Sequence, residues 1–116
     1  MATVQLTKEN HEKIIDDNSI VILDFWAEWC GPCQAFGPIF EKVSEAFEDV
    51  VFAKCDTQNQ QELAGAFRIR SIPTIMAFKE GKLVFNQSGV LPEPALYELV
   101  EKIKELDMAE LEKQAG

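Results

Sequence analysis

Basic side chains are scarce in this chain: eleven against twenty acidic ones, for a net charge of −9. Such a surface repels phosphate backbones and anionic headgroups, so neither nucleic acid nor a membrane surface is expected as a partner. No stretch approaches the roughly 20 consecutive apolar residues of a membrane-spanning helix. The opening run from Met1 to Asn10 also lacks the apolar centre of an export signal. Six glycines and five prolines are too few for a low-complexity chain. Three cysteines, an odd number with a single close pair, do not make a secreted disulfide framework. A reducing compartment, the cytoplasm, is therefore expected, and a precursor stripped of its targeting segment would read the same way. Beyond the close pair, only Cys55 and the single histidine, His11, could add soft metal ligands, and they stand at no usual zinc spacing, so no metal is expected.

What is present is core material. Apolar residues make up 47% of the 116, with eight Phe and two Trp, enough to bury one core, and a single domain over 1–116 is expected. Thr3 to Leu6 reads as an edge strand, followed by a helix from a Thr7 cap to about Asp17 with Ile14 and Ile15 inward. Ile20-Val21-Ile22-Leu23-Asp24-Phe25-Trp26 is apolar on both alternating faces except at Asp24, the pattern of a central strand covered on both sides. Cys33, Phe36, Phe40, Val43 and Phe47 recur at helical steps, so about 32–48 reads as an amphipathic helix that continues past Pro38 with a kink. A strand from Val50 to Asp56 and a short helix capped by Asn59 and ending near Phe67 follow. Thr74 to Lys79 and Lys82 to Gln87 form an antiparallel hairpin around Glu80-Gly81. Pro92 and Pro94 open a helix striped by Leu96, Leu99, Val100, Ile103 and Leu106, and Asp107-Met108-Ala109-Glu110 resembles a capping box for a short extra helix over 107–115. The expectation is an α/β protein, with a central mixed five-stranded sheet flanked by four helices.

Trp29-Cys30-Gly31-Pro32-Cys33 falls at the junction of the central strand and the long helix. Two thiols so spaced can cycle between dithiol and disulfide. The helix start stabilises a thiolate on Cys30, the nucleophile, and Cys33, one turn further in and shielded, is the resolving thiol. Gly31 permits close approach of another chain, and Pro32 fits the first helical turn. Gln34 rather than His follows the pair, so haem attachment is excluded. Asp24 is either buried, with its pKa raised, or turned to solvent at a strand edge; Lys54 is either its partner charge or a surface lysine. Cys55 reads as a small core residue, with a regulatory or dimer-forming thiol as the alternative.

The run Asp24 to Cys33, with Pro38, Lys54, Ile72-Pro73-Thr74 and Gly89 in order and approximate spacing, resembles the thioredoxin family over nearly the whole chain. The resemblance implies the thioredoxin fold and dithiol–disulfide exchange on protein substrates, with no bound cofactor and with electrons from a thioredoxin reductase; a monomer is expected. It also implies that Asp24 is the general acid–base for Cys33, with Lys54 beside it. It makes Ile72-Pro73 a cis bond, where Pro73 taken alone marks only a strand start. Trp29, Ile72, Gly89 and Val90, with Gly31, Pro32 and Pro73, would form the docking surface for an extended substrate segment. Gln34 departs from the family's usual basic residue and Ser71 from its common glycine, which bears on partner choice. Two other readings remain: an oxidase or isomerase of secretory compartments, against which the Gly-Pro dipeptide argues, and a subunit whose fold rather than thiols matters.

Overall fold

The computed structural model describes residues 2–115. In chain order it contains β1 (Thr3–Gln5), α1 (His11–Asp17), β2 (Ile20–Trp26), α2 (Gly31–Ala46), β3 (Val51–Asp56), α3 (Gln61–Ala66), β4 (Thr74–Lys79), β5 (Lys82–Ser88), α4 (Glu93–Glu105) and α5 (Met108–Ala115). The strands make one mixed sheet in the order β1-β3-β2-β4-β5, with β1, β3 and β2 parallel and β4 and β5 antiparallel. β2 is central, paired with β3 from Val21 to Trp26 and with β4 from Ile20 to Phe25.

Side chains on a strand alternate between faces, and β2 divides the core accordingly. Ile20 and Ile22 pack with Phe36, Phe40 and Val43 of α2 and Leu96, Val100 and Ile103 of α4. Val21, Leu23 and Phe25 point the other way, onto Leu6, Cys55, Leu63 and Met76. By the same alternation Asp24 falls on the face that carries α2, so an ionisable group is enclosed there. α2 runs through Pro38 without interruption, because its apolar stripe is buried on both sides of the proline.

Several local boundaries differ from the sequence reading. Thr7 holds a turn rather than the helix start: its Oγ1 accepts from the Asn10 N–H while the Asn10 Oδ1 accepts from the Thr7 N–H, and α1 begins four residues later. Asn59 caps nothing; the Asp56 carboxylate instead accepts the N–H groups of Gln58 and Asn59, and α3 starts at Gln61 without a side-chain cap. The β4–β5 hairpin turns on Glu80 (φ +52°) and Gly81 (φ +79°), the two left-handed residues of a tight turn matched to strand twist. Asp107 does cap α5, accepting the Glu110 N–H at 3.1 Å, and Met108 is buried.

One structural group was not anticipated. Lys79, at the end of β4, is buried, and its Nζ donates to the carbonyls of Ile103, Lys104 and Leu106 at 2.7, 3.0 and 2.8 Å. These oxygens lie at the C-terminal end of α4, where helix carbonyls run out of amide partners; that of Ile103 also accepts a backbone amide, from Leu106, and the ammonium complements the negative end of the helix dipole. Lys79→Met keeps the aliphatic length but removes all three bonds. Urea unfolding is expected to show a loss of about 2–3 kcal/mol, since hydrogen bonds from a charged donor contribute roughly 1.5–3 kcal/mol; an unchanged midpoint would mean that water replaces the ammonium without loss.

Candidate active site

β2 delivers the chain to the sheet end at Trp26, a short loop follows, and α2 starts at Gly31 with Cys30 as its N-cap. The cap is a sulfur: the Cys33 N–H donates to Cys30 Sγ at 3.3 Å, taking the place of the side-chain oxygen that usually satisfies a first-turn amide. Pro32 stands in the first turn, where its missing N–H leaves no bond unmade. Cys30 and Cys33 are joined as a disulfide and pack with Ala27, Trp26 and Ile72. In this state neither sulfur residue is open to solvent, with Cys30 5% and Cys33 4% exposed.

The Ile72–Pro73 bond is cis, and the Ile72 carbonyl oxygen lies 3.7 Å from Cys30 Sγ. The Gly89 N–H donates to the Pro73 carbonyl at 2.8 Å, tying the end of β5 to this loop. Gly89 has φ +102°, a conformation that a side chain would strain. Trp29 is 70% exposed and shares a cleft with the half-buried Ile72, which packs on the disulfide, and Val90, next to Gly89, is exposed. Gly31 is exposed, and a Cβ there would meet nothing within 4 Å. Two further contacts shape the rim. Gln34 Nε2 donates to the Glu28 carbonyl at 2.6 Å, fastening the loop that carries Trp29, and Ser71 Oγ donates to Ser88 Oγ at 2.8 Å, joining the Ile72 loop to the end of β5. Nothing in the local sequence pattern signals either bond.

Asp24 is 0% exposed, and neither carboxylate oxygen has a hydrogen-bond partner among the described residues. Burial pushes its pKa up from 3.8 to about 7, against a smaller opposing pull from Lys54. Lys54 is its neighbour in register on β3 and is half-buried; its Nζ sits 4.9 Å from the centre of the Trp26 ring, a cation–π contact. Lys54, Trp26 and Cys33 share an open cleft of about 460 Å³ with Glu41. Cys55 points into the opposite core, 0% exposed, and burial, with Asp56 and Asp24 as lesser causes, pushes its thiol up to about 11. A thiol so placed is a core residue, inert at neutral pH.

Two cysteines at a helix N-terminus, closed as a disulfide beside a cis-proline loop and an exposed indole, define the site of a thiol–disulfide exchange protein. A description of the Thioredoxin family matches residues 2–105. Among curated relatives, the Streptomyces coelicolor protein named "Putative thioredoxin 2" is 54% identical over 112 residues, covering 97% of this chain and 84% of its own length. The thioredoxin of Bacillus subtilis is 37% identical over 103 residues, covering 88% and 98%. The solved structure of a single-site mutant of the Halobacterium salinarum thioredoxin superposes with a TM-score of 0.83 at 35% identity, over 90% of this chain and 93% of that one. The chain belongs to the thioredoxin family and is a protein dithiol–disulfide oxidoreductase. Its substrates are disulfides of other proteins, and thioredoxins need no bound cofactor. α5 lies beyond the matched residues.

The raised pKa of Asp24 makes stability depend on pH. Folding favours the protonated carboxyl, so its contribution is fully present below about pH 4, falls as pH rises towards about 7, and is flat above that. Asp24→Asn, which cannot ionise, removes this loss. Above neutral pH the variant is expected to be more stable than the parent by up to about 4 kcal/mol, the free-energy equivalent of roughly three pKa units. Urea unfolding at pH 5 and pH 8 measures the difference, and equal pH slopes for the two proteins would mean that Asp24 is solvated.

Proposed function

We propose that the Cys30 thiolate is the nucleophile that attacks a disulfide in a partner protein, with Cys33 as the resolving thiol. The observation that supports this best is the N-cap position of Cys30 Sγ, which receives the Cys33 N–H at 3.3 Å. In the dithiol state that N–H and the dipole of α2 favour charge on Cys30 over charge on Cys33, which has already entered the helix. Attack forms a Cys30–partner disulfide and releases one partner thiolate, which takes up a proton. Cys33, as thiolate, then attacks Cys30 Sγ, releases the second partner thiolate, and leaves the Cys30–Cys33 disulfide. Two electrons have passed to the partner; a thioredoxin reductase returns them together with two protons.

Asp24, on the α2 face of β2, accepts the Cys33 proton in the resolving step, a role suited to a carboxyl with a pKa about 7. Lys54 holds the opposing charge and the water-accessible cleft through which the proton reaches solvent. Trp29, Gly31, Pro32, Ile72, Pro73, Gly89 and Val90 receive an extended segment of the partner, whose backbone pairs with the loop at Ile72 beside Cys30. The protein acts as a monomer in the cytoplasm.

The two thiol roles separate by mutation. Cys33→Ser is expected to accumulate a mixed disulfide with a substrate protein on non-reducing gels, and Cys30→Ser to form none, since only the first retains the attacking sulfur. Equal trapping by both variants would refute the assignment. Asp24→Asn is expected to slow reductase-coupled turnover roughly a hundredfold at pH 7, the lower end of the usual contribution of a general base; unchanged turnover would remove Asp24 from the proton path.

A further inference from the structure

Positive charge on the described surface is nearly all neutralised. Lys8, Lys13, Lys42, Lys82, Lys102 and Lys104 each face a carboxylate. Lys79 is buried on carbonyls and Lys54 lies against Trp26. Arg68 and Arg70 are exposed and in no ion pair among the described residues; besides them only Lys113 remains, on α5, which is tied through Glu112 to the start of β5, away from the Ser88 end that adjoins the site. Both arginines stand in the short connection from α3 to Ile72.

The backbone at Arg68 is unusual. The Arg68 N–H donates to the Gly65 carbonyl and the Ile69 N–H to the Ala64 carbonyl, each at 3.0 Å, a helix end that requires a left-handed residue after the cap. Arg68 supplies it at φ +58°, where glycine would fit without strain. Strain retained beside a functional loop points to a use for the side chain that causes it. Arg70, in turn, lines a cleft of about 370 Å³ together with Trp29, Ile69, Ile72, Thr57 and Gln61, and is the only charged group in its wall. The acids nearest in sequence are already engaged: Asp56 by the amides of Gln58 and Asn59, and Glu62 by Lys8.

We propose that Arg70, in the wall of this cleft, with Arg68 two residues before it on the same exposed connection, makes a specificity site that takes a polypeptide segment carrying a carboxylate side chain close to its disulfide. The inference rests on the reading of Cys30 as the attacking thiol beside the Ile72 loop. The apolar wall of Trp29, Ile69 and Ile72 holds the segment, and the Arg70 guanidinium in that wall, flanked by the exposed Arg68, selects its charge. The net charge of −9 does not oppose this at contact range, because salt screens it beyond about 8 Å at physiological ionic strength.

The test uses three synthetic peptides, each with one internal disulfide and differing only in two residues after the second cysteine: Glu-Glu, Ser-Ser or Lys-Lys. Reduction by excess dithiol protein is followed in a single turnover. The Glu-Glu peptide is expected to react about fivefold faster than the Lys-Lys peptide, the size of effect an exposed ion pair gives. The double variant Arg68→Glu, Arg70→Glu is expected to invert that order. Arg68→Gly is expected to narrow the preference without lowering the urea midpoint, which separates charge from folding. Equal rates, a faster Lys-Lys peptide, or a preference unchanged in the double variant would overturn the proposal. Failure to reduce the Ser-Ser peptide would instead overturn the thiol reading on which it rests.

Discussion

The hydrogen bond from the Cys33 N–H to Cys30 Sγ ties the fold to the chemistry. It exists because α2 begins one residue after Cys30, and α2 begins there because β2, the central strand, ends at Trp26 and the loop after it is held short. Ala27 is buried and the Cys30 N–H donates to its carbonyl, while Gln34 clasps the Glu28 carbonyl from the first turn of the helix. A sulfur in the N-cap position meets the unpaired amides and positive dipole end of the helix it starts. The cis-proline loop is brought to the same sulfur by the pairing of β4 with β2, since Pro73 immediately precedes β4.

Burial opposes the stability of this arrangement at one point. β2 carries Asp24 into the core beneath α2, where neither oxygen finds a partner among the described residues and desolvation lifts the pKa to about 7. An apolar side chain would fit the strand better, and the carboxyl is retained at the expense of stability above neutral pH. Cys55, one residue along β3 from Lys54, shows the contrast: its thiol is equally enclosed, but on the face away from α2, and its raised pKa leaves it without a role in exchange.

Much of this could be read from the residues alone. The β2 pattern, the stripe of α2, the Glu80-Gly81 turn and the Asp107 cap are local signals, and the structure has each in place. The Cys30–Cys33 pair and the elements that present it were legible because spacing and helix start lie within five residues. The misses are of another kind. Thr7 and Asn10 offer two competing turn-formers within four residues, and reciprocal bonds between them delay α1. Asn59 lost to Asp56 in the same way. Lys79 looks like an ordinary strand-end lysine until α4 is placed across it, and Arg68 takes a left-handed backbone in a position where its side chain gives no such hint. Lys79 in particular depends on neighbours distant in sequence.

The central claim is that the start of α2 makes Cys30 the reactive thiolate. Site-resolved mass spectrometry of the dithiol protein, alkylated with iodoacetamide across pH 5 to 10, tests it directly. Cys30 is expected to be modified first, with a rate midpoint clearly below the ~8.5 of a free thiol, and Cys55 to stay unmodified while the protein is folded. A Cys30 midpoint at or above that value, or faster labelling of Cys33 or Cys55, would contradict the account.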